Sequence, residues 1–301
     1  MIYAIMDIGS NTVRLSVYKQ VEDKAVHLFS EKEQASLRNY VKKGNLTEKG
    51  IDRLIATLRR FNAIISNFDD IDSVHPFATA TIRDVANRSE ILKRVKDELG
   101  LEIEILSGED EARLSFVGAS KSVDVSEGVL TDIGGGSSEV VIIDQGKVIK
   151  STSLSIGSLS AFNDYVTGLF TNKKEKKAID NAVKLLLAEN KMYREKQSNL
   201  AAVGGSARAS LKFYNEYYNL SNYNSTMDAE KFNKMVKEIL EMDDREVLDR
   251  ILEIKPDRVH TLIPGMVILN RLAKYFYVNE INISQTGVRE GYVYSKLLER
   301  K

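Results

Sequence analysis

The chain has 301 residues, with 43 Lys+Arg balanced by 43 Asp+Glu, 43% hydrophobic residues and no cysteine. That length supports a substantial core and reads more naturally as two lobes than as one. A formal net charge of +0 gives no electrostatic case for general nucleic-acid or membrane-surface binding, so any anion site must be local, and the missing cysteines exclude disulfides, thiolate metal sites and a Cys nucleophile.

The first residues, MIYAIMDIGSNTVRL, carry no basic region, and their apolar run ends at Asp7. A strand is expected there, not a signal peptide. No apolar stretch approaches the ~20 residues that span a bilayer, so a cytoplasmic protein is expected, without membrane or nucleic-acid partners. Residues 2–7 and 13–19 read as strands around a Gly-Ser-Asn turn, with a third strand over 25–33. From Thr47 to Ser66, Ile51, Leu54, Ile55, Leu58, Phe61 and Ile65 follow helical spacing, with Thr47 as N-cap. A strand over Ser73–Thr79, a helix over Ser89–Leu99 and a strand over Glu102–Leu106 follow, and Ser107 opens the helix GEDEARLSFVGA. The alternation restarts at 128, where GVLTDIGGGSSEVVIIDQGKVIKSTSL reads as strand, Gly-rich turn, strand, turn, strand. Helices are expected at about 174–194, 205–212, 229–240 and 258–276, and strands near 199–204 and 280–284.

Asp7-Ile8-Gly9-Ser10-Asn11-Thr12 and Asp132-Ile133-Gly134-Gly135-Gly136-Ser137 are similar segments, each after an apolar strand and before an alternating one. Two copies of one unit imply a duplicated α/β fold with the turns facing each other across a cleft. Glycines at a hairpin tip let backbone N–H groups approach a phosphate. An Asp at each strand end can hold a metal ion or its bound water. Either copy alone would also suit an ordinary hairpin.

The segments DIGSNTVRL (7–15), ATATIRDVAN (78–87), SGEDEARLSFVG (107–118), DIGGGSSEVVI (132–142), GGSAR (204–208) and GVREGY (287–292) occur in one order along the chain. With them the sequence resembles the exopolyphosphatase/guanosine pentaphosphate phosphohydrolase (Ppx/GppA) family of the actin/sugar-kinase/Hsp70 superfamily. The resemblance implies two actin-like, ribonuclease H-like domains, expected over 1–120 and 121–301, with a last helix at about 288–301 packing back on the first. Relatives exist in long and short forms. This chain, whose histidines His27, His75 and His260 are never followed by Asp, looks like the short two-domain form. Relatives often carry an Arg where Ser160 stands.

The same resemblance implies residue roles, each with a plainer alternative. Glu111 falls where relatives carry the acid that activates the attacking water, although Glu109, Asp110 and Glu111 could all simply complement a helix dipole. Asp132 is implied to bind metal, with Asp7 in the partner loop. Glu139 is implied to bind metal or position water, against the alternative of an exposed acid on an edge strand. Phosphate contacts are implied for Gly134, Gly135 and Ser137 and for Gly9, Ser10 and Asn11. Arg14 and Arg83 suit phosphate through bidentate contact, or serve as surface ion pairs. Gly204, Gly205 and Arg208 open a helix after a strand, a natural anion site or a packing turn. NKKEKK (172–177) is expected to cap and solvate a helix, or to guide an anionic chain. The Tyr-rich stretch 213–224 is expected to be a packed loop.

The function expected from these residues is Mg²⁺- or Mn²⁺-dependent release of orthophosphate from inorganic polyphosphate, with hydrolysis of guanosine pentaphosphate, a stringent-response alarmone, as the rival. A superfamily kinase, a nucleotide-binding sensor or an actin-like filament protein are the other classes, and relatives commonly self-associate, which admits a homodimer.

Overall fold

The computed structural model describes residues 1–193 and 195–298. The first lobe runs through β1 (Ile2–Ile8), β2 (Val13–Val21), β3 (Lys24–Glu33), the short pair β4 (Val41–Lys42) and β5 (Asn45–Leu46), α1 (Glu48–Ile65), β6 (Ser73–Ala78), α2 (Ala80–Asp84), α3 (Arg88–Leu99) and β7 (Glu104–Ile105). Helix α4 (Gly108–Ala119) leads to the second lobe: β8 (Gly128–Ile133), β9 (Ser138–Asp144), β10 (Lys147–Leu154), α5 (Ser158–Tyr165), α6 (Lys173–Glu189), β11 (Leu200–Val203), α7 (Gly204–Tyr217), β12 (Thr226–Asp228), α8 (Ala229–Ile239), α9 (Asp244–Ile254), α10 (Leu262–Tyr275) and β13 (Glu280–Ile283). The chain closes with α11 (Val288–Tyr292) and a wider helical turn, Val293–Leu298.

The two sheets share one topology. Strand order is β3-β2-β1-β6-β7 in the first and β10-β9-β8-β11-β13-β12 in the second. In each, the first three strands form an antiparallel meander and the next is parallel to its opening strand. Only β12, antiparallel to β13, is extra. The fold is thus the duplicated, actin-like α/β architecture that the sequence repeat implies. Asp7 and Asp132 occupy equivalent registers, for Asp7 pairs with Arg14 and Phe77 while Asp132 pairs with Glu139 and Val203.

Both faces of the first sheet are buried, so β1 alternates between two cores. Ala4, Met6 and Ile8 pack with α1 and α3 residues such as Leu54, Phe61 and Ile91, whereas Tyr3 and Ile5 pack with Leu114, Tyr292 and Val293. Helix α4 belongs to both lobes. Its Leu114 joins the Tyr3–Phe77 cluster, and its Ala112 and Ala119 join Leu130, Val141 and Val203 of the second sheet. It crosses α11 at backbone contact, since a Cβ on Gly118 would lie 1.9 Å from the Gly287 carbonyl oxygen and one on Gly291 1.9 Å from that of Leu114.

Several expected elements differ in extent. Helix α7 runs on to Tyr217, so the Tyr-rich stretch begins as helix, with Phe213 and Tyr214 in the core. Strand β7 is only two residues long. Helix α6 ends at Glu189, and residue 194 of its expected span lies outside the described residues, as do 299–301 of the expected last helix. Helices α5 and α9 lie where none was expected. For α9 the signal was present: Asp243 caps it, and Val247, Ile251 and Ile254 recur at helical spacing. Asn172 and Glu175 of the NKKEKK run form a reciprocal cap on α6. Among the described residues no helix is long and apolar enough to cross a membrane.

Substituting Gly118→Ala or Gly291→Ala should lower stability by about 1–3 kcal/mol each, the cost of forcing atoms into a packed contact. Urea unfolding would measure it, and an unchanged midpoint would contradict the backbone contact between α4 and α11.

Candidate active site

The two hairpin turns are built alike and touch. Gly9 donates its N–H to the Thr12 carbonyl at 3.1 Å, and Gly134 donates to that of Ser137 at 3.0 Å. The second turn lies on the first, and a Cβ on Gly136 would come within 2.5 Å of Ser10 Oγ. Both turns line a cleft of about 410 Å³ between the lobes. Gly9, Ser10, Asn11, Arg14, Glu111, Asp132, Gly134, Gly135, Ser137, Glu139, Gly204, Gly205 and Arg208 all line it, together with Asp7. Arg83 stands behind the wall.

Strand register explains the acid cluster. Because Asp132 and Glu139 are direct cross-strand partners, their side chains share one face of the sheet, and Ser153 lies next in the same row. Ser153 Oγ donates to Glu139 Oε1 at 2.8 Å, and Ser115 Oγ donates to Asp132 Oδ2 at 2.8 Å. Behind Asp132, Gly204 adopts φ +89, where side chains are disfavoured, and a Cβ there would lie 2.4 Å from Asp132 Oδ1. Only glycine leaves room for that carboxylate.

Glu111 comes from the first turn of α4, where the three acids separate by role. Asp110 accepts from the Ser107 hydroxyl, and Ser107 Oγ in turn accepts from the Asp110 N–H. Glu109 is exposed, and Glu111 points inward at 6% exposure. Arg83 Nη1 donates to Glu111 Oε2 at 2.5 Å and to the Leu106 carbonyl at 3.2 Å, while its Nε reaches Asp84. In this structure Arg83 holds Glu111.

The acids strain against one another. Burial pushes the Glu111 carboxyl well above its ordinary range, Glu139 adds to the push, and Arg83 opposes it. Glu139 is pushed up to about 7 by burial and then by Asp132, with the Ser153 hydrogen bond opposing. Asp7 and Asp132 are raised too, mainly by burial, against the pull of Arg289 and Arg14 on Asp7 and of Ser115 and Arg208 on Asp132.

Cations gather opposite. Where the second sheet places Glu139 beside its Asp, the first sheet places Arg14 beside Asp7 and Lys32 beside Arg14. The duplicated unit therefore gives one wall an acid and the other a base at the same register. Arg14 makes no ion pair within 4 Å among the described residues, and burial lowers its pKa. Among the described residues Arg208 reaches the Ser284 and Gln285 carbonyls, and burial together with Arg289 lowers it to about 10. Arg289, Arg258, Lys32, Lys212 and Lys255, none of them a candidate from sequence, also stand on the cleft wall. Arg289 Nη1 meets Asp7 Oδ2 at 3.4 Å, and the neighbouring Glu290 accepts from Tyr18 at 2.6 Å. Arg289 could have been found, since it lies inside GVREGY; Arg258 and Lys212 carry no local signal. Oxygen donors for a hard cation are Asp7, Asp132 and Glu139. Among the described residues no three His, Cys, Asp or Glu side chains group so that they could hold a metal ion together, so a cation bound there would depend on water or ligand oxygens.

Facing duplicated turns, with a cleft of mixed charge between the lobes, define an actin-like two-domain protein. The family model described as "Ppx/GppA phosphatase family" matches residues 16–300, and the chain belongs to that family. It is 26% identical over 295 residues to a putative exopolyphosphatase of Haemophilus influenzae, covering 97% of this chain and 90% of that one. A bifunctional 3-dehydroquinate synthase/phosphatase of Fusobacterium nucleatum is 28% identical over 94% of this chain, which spans only 44% of that protein's length. Among solved structures, the Aquifex aeolicus Ppx/GppA family member superposes with TM-score 0.80 at 26% identity, covering 99% of this chain and 98% of that one. An exopolyphosphatase from Cytophaga hutchinsonii shares the fold, with TM-score 0.86 at 22% identity over 99% and 98% of the two chains.

The Glu139 environment gives a signed prediction for protein free of divalent cations. A carboxyl raised to about 7 in the fold costs stability progressively as pH rises from its unfolded value toward 7. Glu139→Gln removes that cost, so it should stabilise the cation-free protein by about 1–3 kcal/mol at pH 8 and by almost nothing near pH 4. Thermal or urea unfolding across that range would measure it, and a pH-independent difference would contradict the assigned environment.

Proposed function

We propose that this protein is an exopolyphosphatase, releasing orthophosphate from the end of inorganic polyphosphate. The supporting observation is the excess of cations in the cleft: Arg14, Arg208 and Arg289 act on the acid cluster, and Lys32, Lys255 and Arg258 lie at or beside Asp257. Of its lining residues, Arg14, Lys32, Arg208, Lys212, Lys255, Arg258 and Arg289 are basic. Four of the five acids, Asp7, Glu111, Asp132 and Glu139, stand together, leaving only Asp257 among the cations. An extended polyanion suits a row of cations leading to one reacting end. Among the described residues lining the cleft none is aromatic, so a guanine ring would find no aromatic side chain to stack on there. This favours polyphosphate over guanosine pentaphosphate.

Phosphoryl transfer to water needs positioning and charge neutralisation more than covalent chemistry. The N–H groups of the two Gly-rich turns, with the Ser10 and Ser137 hydroxyls, bind the terminal phosphate, and Arg14 offsets its charge. Glu111 orients and deprotonates the attacking water, and Arg83 fixes the carboxylate that does so. Asp7, Asp132 and Glu139 offer oxygen donors of the kind Mg²⁺ or Mn²⁺ takes. No three described side chains group as a metal site, so water or phosphate oxygens would have to complete the shell of an ion that would supply positive charge there. The fit is one of donor chemistry alone: oxygen-only groups whose carboxyls are raised mainly by burial.

Orthophosphate release from long-chain polyphosphate, guanosine pentaphosphate and ATP at matched terminal-phosphate concentration tests the assignment. Polyphosphate should be preferred. Preference for the pentaphosphate would make the protein an alarmone hydrolase, and no release from any of them would overturn hydrolysis. Glu111→Gln should lower kcat by about 10²–10⁴-fold with little change in KM. Since Glu111 acts ionised and its carboxyl is raised, kcat/KM should fall on the acid side with an apparent pKa above the ordinary Glu value of about 4.3. An acid limb at or below that value would contradict the role.

A further inference from the structure

The cationic end of the cleft already contains an anion. Asp257, in the short turn Pro256–Arg258, places Oδ2 at 2.6 Å from Lys32 Nζ and Oδ1 at 3.1 Å from Lys255 Nζ. All three residues line the cleft, with the guanidinium of Arg258 next in sequence. Arg258 is itself tightly seated: Nη1 meets Ser206 Oγ at 3.3 Å, its buried Nε has no hydrogen-bond partner, and a Cβ on Gly205 would lie 2.1 Å from Nη2. The Lys32–Asp257 pair also joins the lobes, since Lys32 sits on β3 and Asp257 beyond α9. A second link, Asn163 Nδ2 to Asn39 Oδ1 at 2.9 Å, spans the lobes as well.

Lys32 lies in the strand row that runs from Asp7 through Arg14, two strand spacings or about 10 Å from Asp7 along the sheet. A phosphate chain with its end at the acid cluster would extend toward the lysines that Asp257 now holds. We propose that Asp257 is a built-in competitor of the substrate, whose carboxylate occupies the cationic end of the cleft and gives up Lys32 and Lys255 when an incoming polyanion takes them. The inference rests on the reading of the cleft as a polyphosphate site, and deepens it by naming a residue that sets the affinity for the chain behind the reacting end. Both lysines pull the Asp257 carboxyl down to about 2 against its burial, so it stays ionised, and competes, throughout the neutral range. Lys32, Lys255 and Asp257 are each about one-third exposed or more. Their pairing is therefore weak enough for a multiply charged ligand to displace.

The test is binding of inorganic tripolyphosphate, followed by calorimetry in the full chain, alongside steady-state hydrolysis of longer polyphosphate. Asp257→Asn, nearly isosteric, should tighten tripolyphosphate binding and lower KM by about three- to tenfold at low salt, with kcat little changed. Asp257→Ala, which cannot bridge the lysines, should do the same. The gain should shrink toward onefold near 1 M salt, where the screening length is about 3 Å. If Asp257 instead positions the lysines for substrate, both variants will bind more weakly, and that result, like unchanged binding at low salt, overturns the proposal. Absence of polyphosphate hydrolysis in the unmodified protein would remove the functional reading, while the tripolyphosphate binding comparison would still decide the competition.

Discussion

Four carboxylates gathered between two lobes are the constraint around which this molecule is arranged. Removing an acid from water favours its neutral form, and neighbouring acids deepen the effect. The structure opposes this with selected donors: Arg83 on Glu111, Ser153 on Glu139, Ser115 on Asp132 and Arg289 on Asp7. The opposition is incomplete, because all four groups remain raised. A cluster left short of positive charge is poised for a cation or for protons. In the proposed reaction that shortfall becomes useful, since it gives the water-activating acid a basicity that an exposed glutamate lacks.

The donors come from elements that tie the lobes to the cluster. Helix α4 presents Glu111 toward Arg83 of the first lobe and Ser115, one turn later, toward Asp132 of the second. Helix α11 lies across it at backbone contact and returns Arg289 to Asp7. Rotation of one lobe against the other would therefore move Glu111 relative to Asp132. Lobe contacts on the opposite side of the cleft are fewer and more exposed, namely Lys32–Asp257 and Asn39–Asn163.

Much of this was legible in the residues. The repeated Asp-Ile-Gly segments predicted the duplication, and strand alternation carried each Asp to the same register of its sheet. Thr47 and Ser107 cap their helices as their residue types imply. What was hidden depends on tertiary approach. Residue chemistry alone does not separate Glu111 from Glu109 and Asp110; the resemblance of EARLSFVG singles it out, and the direction in which α4 lands on Arg83 is what buries it. Arg258 and Lys212 become cleft residues because α7 and the turn after α9 converge, which no local pattern announces. Helix α5 was missed because SLSAFNDY offers weak periodicity, its buried Ser158 and Ser160 serving the second turn rather than an apolar face. The Ser160 hydroxyl also bonds its own cap, accepting from the Gly157 N–H at 2.8 Å.

The central claim is that the cleft delivers water, not another acceptor, to the terminal phosphorus of an anionic chain. Hydrolysis of polyphosphate in ¹⁸O-enriched water, with mass analysis of the product, tests it most directly. The account predicts that each orthophosphate released carries oxygen from the solvent. Loss of terminal phosphate without solvent label in free orthophosphate would mean that the phosphoryl group passes to a different acceptor, and would contradict the role given to Glu111.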